Sequence, residues 1–233
     1  MLERVDKIIG NQTGISRKEI HKMIKNKRVK INDKVVFSPK EKYDSSKDNF
    51  YIDDELLVIS KYVYLVLNKP KGYVSATIDH YEKTVLDLVP EAYQNRSLFP
   101  AGRLDKDTTG FLLITDDGGF AHNILSPKKH IKKKYYVLID SIITNDMIEG
   151  FSKGVILDGE MCKSAILEKI DDNYCYVTLT EGKYHQIKRM FQSFGASVLE
   201  LKRVSMGSLE LPSDLALGEC CELTMDEVYL ITH

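Results

Sequence analysis

The sequence predicts an α+β protein: a small basic N-terminal module, then a larger domain with a mixed, mainly antiparallel sheet and flanking helices. Three observations carry that expectation. β-branched and aromatic runs such as Tyr62–Leu67 and Tyr174–Leu179 recur along the chain, as strands require. Single helical stretches stand between them, with hairpin-like pairs in place of the regular alternation of a doubly wound parallel sheet. Ten Lys or Arg stand against four acids in residues 1–34, although the net charge of all 233 residues is −1.

Hydrophobic content of 43% with 29% charged residues is that of an ordinary globular chain. No apolar run reaches the length of a membrane span, and Met1-Leu2-Glu3-Arg4 does not open a signal peptide, so a cytoplasmic protein is expected. Cys162, Cys175, Cys220 and Cys221 show neither CxxC spacing nor a histidine partner set, which reads as reduced structural thiols and no metal.

Residues 1–48 form the expected first module. Val5, Ile8 and Ile9 recur at helical spacing. Ser16-Arg17-Lys18-Glu19 has capping-box form and opens a helix with Ile20, Met23 and Ile24 on one face and Arg17, Lys18, Lys22 and Lys25 on the others. Val29, Ile31, Val35 and Val36 around Asn32-Asp33 read as a hairpin. Residues 42–61 carry polar and acidic runs with little pattern, and 49–61 read as a linker with a short strand at 50–52. Residues 62–233 form the second domain.

That domain opens with the strand Tyr62–Leu67, closed by the turn Asn68-Lys69-Pro70-Lys71-Gly72-Tyr73. A short helix over 84–89 stops before Pro90. Phe111–Ile114 is a buried strand and 120–125 a helix. Lys133–Asp140 is a strand and Asn145–Lys153 a helix. Residues 165–170 and 174–179 pair as a hairpin. Tyr184–Phe194 is a helix with Gly195 as its stop, and strands follow at 198–201 and 208–211.

Between these elements lies Gly102-Arg103-Leu104-Asp105-Lys106-Asp107-Thr108-Thr109-Gly110. Local chemistry leaves two readings open: a turn capped by its own Asp and Thr residues, or a rigid loop presenting Asp105 from the end of a buried strand. A carboxylate-pair glycosidase, with Asp107 or Asp116 as second acid, leaves the basic blocks at 1–34 and 128–134 unexplained. No GxSxG nucleophile motif or Gly-rich nucleotide loop is present.

Four motifs in order carry a resemblance. Asn68-Lys69-Pro70-Lys71-Gly72, the Gly102–Gly110 loop, Lys133-Lys134-Tyr135 and Glu181-Gly182-Lys183-Tyr184-His185-Gln186-Ile187-Lys188-Arg189-Met190 together resemble the RsuA/RluB/E/F family of pseudouridine synthases, from about residue 65 to 211. The last motif is most similar to the small-subunit members. Arg4-Val5-Asp6, Ser16-Arg17 and Val29-Lys30-Ile31-Asn32-Asp33 are similar to the S4 RNA-binding domain that precedes the catalytic domain in that family. Asn26-Lys27 and Asp33 replace its usual glycines, and Phe111 stands where Leu or Val is usual.

The resemblance implies a pseudouridine synthase fold and isomerisation of a uridine in ribosomal RNA, with no cofactor. Its partner is expected in an assembling small ribosomal subunit, and the protein is expected to be a monomer. It implies Asp105 as nucleophile, Lys188 as the cation beside it and Tyr135 against the uracil ring. Arg103 fills the space left by a flipped-out nucleotide. Lys69, Lys71, Lys128, Lys129, Lys133, His185 and Arg189 contact RNA, joined by Arg17, Lys18 and Lys22 of the first module. The alternatives are a large-subunit synthase of the same family and a non-catalytic S4-type RNA-binding or ribosome-assembly protein.

Overall fold

A computed structural model describes residues 2–126 and 128–233. The chain divides into two compact units, one formed by residues up to Val63 with Val89–Leu98, the other by Tyr64–Leu88 and Phe99–His233.

In the first unit the helices Val5–Thr13 and Arg17–Lys25 bury Val5, Ile8, Ile9, Ile20 and Ile24 against Val29, Ile31, Val36 and Phe50. The expected cap is present: Ser16 Oγ accepts from the Glu19 backbone N–H. Asp6, 1% exposed, accepts both Nε and Nη2 of Arg4 and lies 3.0 Å from His21 Nε2, tying the start of one helix to the flank of the next. Asn32 and Asp33 take φ of 47° and 65°, the left-handed pair that lets the strands Val29–Ile31 and Lys34–Val35 turn in two residues.

The expected linker at 49–61 is not one. Phe50–Ile52 pairs with Val29–Ile31, and Glu55–Leu57 extends the same sheet to four strands. Phe50, 1% exposed, anchors this stretch in the core, with Ile52, Leu57 and Ile59 packed against the same cluster. Residues 89–98, expected within the second domain, also belong here. Asn95 Nδ2 donates to the Gly10 carbonyl, and an added Cβ on Gly14 would lie 2.6 Å from Ala92 Cα.

The second unit is built on a mixed sheet. Its strands run, edge to edge, Ile166–Lys169, Tyr174–Leu179, Lys133–Ile139, Val198–Met206, Thr109–Thr115, Tyr64–Lys69 and Cys220–Glu222, with Phe99–Pro100 and Leu209–Glu210 as short additions. Every ladder is antiparallel except Thr109–Thr115 with Val198–Met206, where Gly110 stands beside Arg203. The helices Gly118–Leu125 and Met225–Thr232 cover Tyr64, Val66, Phe111 and Leu113 with Ala121, Ile124, Val228 and Ile231. Phe151 of the helix Asn145–Lys153 packs on Phe191 of the helix Gln186–Gln192, centroids 4.8 Å apart. Burying several such side chains at about 2 kcal/mol each gives the rigid floor on which the loops of this unit rest. Among the described residues no helix is long and apolar enough to cross a membrane.

Two boundaries differ from expectation. The first strand runs to Lys69, so Asn68 and Lys69 are ladder residues buried against Phe111 and Gly110. The helix expected from Tyr184 starts at Gln186, because His185 turns the chain with φ 48° and ψ 33°.

Candidate active site

Asp105 sits in the loop that feeds the strand Thr109–Thr115. The loop is held from beneath by Lys69, whose side chain is wholly buried. Its Nζ lies 3.0 Å from the Thr108 carbonyl, 3.1 Å from those of Pro70 and Asp105, and 3.3 Å from that of Lys106. Four main-chain oxygens thus surround one ammonium, as a buried charge requires. Burial nonetheless pushes the Lys69 pKa down to about 8, against the opposing pull of Asp107 and Asp105. Ser75 clamps the preceding residue: Leu104 N–H donates to Ser75 Oγ, and that hydroxyl donates to the Leu104 carbonyl.

The carboxylate faces two basic side chains. Lys188 Nζ is 3.4 Å from Asp105 Oδ2, and His185 Nε2 is 3.5 Å from Oδ1. Lys188 lies closer still to Asp107, at 2.6 Å from Oδ1. The turn before its helix is fixed by Gln186, which accepts from the Lys183 N–H and donates to Glu181 Oε1. Tyr184, 70% exposed, stacks on His185 with centroids 3.8 Å apart.

Asp105 lines a cleft of about 810 Å³, together with Arg103 from its own loop and Tyr135, Leu179, Leu201 and Arg203 from the sheet. Tyr135 is 9% exposed. The volume suits a nucleoside. A carboxylate and an aromatic ring share one concave site, and the Lys188 ammonium stands beside the carboxylate. That arrangement supports covalent or general acid–base chemistry on a planar ligand. Among the described residues no group of three or more His, Cys, Asp or Glu is placed to hold a metal ion.

Residues 63–193 match the family of RNA pseudouridylate synthases. The chain belongs to this family. It is 41% identical over 99% of its length to an uncharacterized RNA pseudouridine synthase, YtzG, of Bacillus subtilis, covering 98% of that protein. It is 40% identical over 97% of its length to ribosomal small subunit pseudouridine synthase A of Escherichia coli K12, again covering 98% of the relative. A solved pseudouridylate synthase superposes with a TM-score of 0.70 at 38% identity, over 98% of this chain and 99% of the other. The protein is therefore a pseudouridine synthase, an isomerase acting on RNA.

Within this synthase the residues named from sequence fall into three groups. Asp105, Tyr135, Arg103, Lys133 and His185 share the cleft, and Lys188 reaches Asp105. Arg103 is exposed, and no hydrogen bond or ion pair holds its guanidinium among the described residues. Lys71, Lys128 and Lys129 are exposed and outside the cleft lining. Arg17, Lys18 and Lys22 are exposed on the helix of the other unit.

One expected RNA contact is corrected, and a second has partners within the protein. Lys69 is internal, spent on four carbonyls. Arg189 has its guanidinium 2.5 Å from Asp158 Oδ1 and donates to the Tyr184 carbonyl, so it braces the loop before the helix. Asp107, read from sequence as turn chemistry, is the nearer partner of Lys188. Neither Asp107 nor Asp116, the second acids that the carboxylate-pair alternative names, lines the cleft. Arg203 went unseen, since only the parallel ladder brings it beside Gly110.

Proposed function

We propose that the protein isomerises a specific uridine of small-subunit ribosomal RNA to pseudouridine, with Asp105 as nucleophile and the target nucleotide flipped into the cleft. One observation carries the reading: Asp105 lines the cleft with Tyr135 and has Lys188 Nζ 3.4 Å from Oδ2. A uridine inside folded RNA hides C1′ and C5, and a cleft bedded on a rigid sheet reaches them only if the nucleotide leaves its stack. Arg103, exposed at the cleft and without a hydrogen bond or ion pair among the described residues, is the group that fills the vacated space. Lys71, Lys128 and Lys129 track phosphates, and the S4-like unit with Arg17, Lys18 and Lys22 widens the footprint.

The small-subunit assignment rests on the Escherichia coli relative, whose name states that target and which matches over 98% of its length. The protein acts as a monomer in the cytoplasm, on RNA of an assembling subunit. Incubating it with unmodified small- and large-subunit ribosomal RNA fragments, followed by carbodiimide primer extension, tests the assignment. A new pseudouridine is expected in the small-subunit fragment. Modification confined to the large-subunit RNA, or none in either, contradicts it.

A further inference from the structure

Arg203 is 2% exposed, its Nε donates to the Phe111 carbonyl at 2.7 Å, and its Nη2 has no hydrogen-bond partner among the described residues. It pairs across the ladder with Tyr135 and lines the cleft with it. Lys133, two residues before Tyr135, also lines the cleft and donates to the Ile131 carbonyl. Burial, with Arg203 nearby, pushes the Lys133 pKa down to about 8. Neither cation has an ion-pair partner among the described residues. A buried guanidinium beside a half-buried ammonium, neither of them ion-paired among the described residues, is costly, and the pair marks a place where an anionic or strongly polar ligand group belongs.

Depth decides which group. Backbone phosphates of an RNA strand stay at the mouth of a cleft, where Arg103 is exposed. A flipped base reaches the floor, where Tyr135 and Arg203 lie side by side. We propose that Arg203, aided by Lys133, contacts the carbonyl edge of the target uracil and takes up the negative charge that the ring carries during isomerisation. This rests on the flipped-nucleotide reading above. When the C1′–N1 bond breaks, its electron pair remains on uracil and spreads over N1, O2 and O4. The ring then joins C1′ through C5, C5 gives up its proton, and N1 gains one, so the reaction balances without a co-reactant. A guanidinium in a dry site favours that anion far more than the neutral base, and its effect falls on rate rather than on affinity.

The test uses the full-length protein and bulk RNA labelled with [5-³H]uridine, taken from a strain lacking the enzyme. Tritium release under single turnover gives the rate, and filter binding gives RNA affinity. Arg203→Gln is expected to lower the saturated rate about 100-fold with affinity within about twofold, and Arg203→Lys to recover about tenfold of that loss. Lys133→Met, a milder change that decides the matter alone if Arg203→Gln does not fold, is expected to lose about tenfold in rate. Unchanged rates, or lost affinity with normal saturated rates, would overturn the proposal; the second outcome marks a phosphate contact. If the wild type releases tritium only from non-ribosomal RNA, the substrate assignment fails, while the comparison of variants still decides Arg203.

Discussion

Lys69 Nζ lies 3.1 Å from the main-chain oxygen of Asp105, so a buried cation on one strand holds the residue proposed to start the chemistry. The same ammonium holds Lys106 and Thr108 through their carbonyls. Replacing it with methionine keeps the volume and leaves those oxygens unpaired. Lys69→Met is expected to lower the single-turnover rate by roughly 100-fold through a misplaced Asp105, with RNA affinity within about twofold. Tritium release and filter binding measure the two. A normal rate would show that the loop needs no such brace.

Lys69 also links stability to pH. Its pKa falls from the ordinary 10.5 to about 8 on folding, chiefly through burial. Below about 8 the folded state bears the full cost of the buried charge. Between about 8 and 10.5 the unfolded chain binds more protons, so the free energy of unfolding rises with pH. Urea melts across that window are expected to show a steeper rise for the wild type than for Lys69→Met. Equal slopes would contradict the assignment.

Asp107 is the closer partner of Lys188, at 2.6 Å against 3.4 Å for Asp105. Asp107→Asn leaves the lysine without its anchor and is expected to cost about tenfold in rate, or about 1.4 kcal/mol of transition-state stabilisation. Its stability in denaturant melts is expected to stay within about 0.5 kcal/mol of the wild type, because the pair is largely solvated.

Gly110 has φ +98°, and an added Cβ would lie 2.2 Å from the Arg203 carbonyl oxygen across the parallel ladder. Gly110→Ala is expected to destabilise the protein by about 3 kcal/mol or more, read from the urea midpoint. A shift below about 0.5 kcal/mol would mean that the two strands are less tightly apposed.

The basic helix of the first unit has a distinct signature. Replacing Arg17, Lys18 and Lys22 by alanine is expected to weaken RNA binding and reduce the log–log salt slope by roughly 2 to 3. The saturated rate is expected to stay at the wild-type value. A lower saturated rate with normal affinity would remove the phosphate-tracking role.

Legibility from sequence followed the range of the interactions. The helix Asn145–Lys153 was plain because its signals are local: Thr144 accepts from the Met147 N–H at one end and Gly154 closes the other. Phe111–Ile114 was equally plain as an apolar run. Asp105, Tyr135 and Lys188 were legible together, through four motifs in order. Lys69 was not, because Lys-Pro-Lys-Gly reads the same in a solvated turn as at the end of a buried strand, and the strand Thr109–Thr115 makes the difference. Arg203 depends on pairing with residues some 70 and 90 positions away. The left-handed His185 delays its helix without a glycine to announce it. The strands at 50–52 and 55–57 are three residues each and stand beside Asp53-Asp54-Glu55, and Phe50, with Ile52 and Leu57 packed against the same cluster, carries them into the core.

The central claim is that Asp105 attacks the substrate. Asp105→Asn keeps the shape of the cleft and removes the nucleophile. Pseudouridine yield on small-subunit ribosomal RNA, measured by carbodiimide primer extension beside filter binding, is expected to fall below detection with RNA affinity within about twofold. A normal pseudouridine yield from that variant would contradict the account.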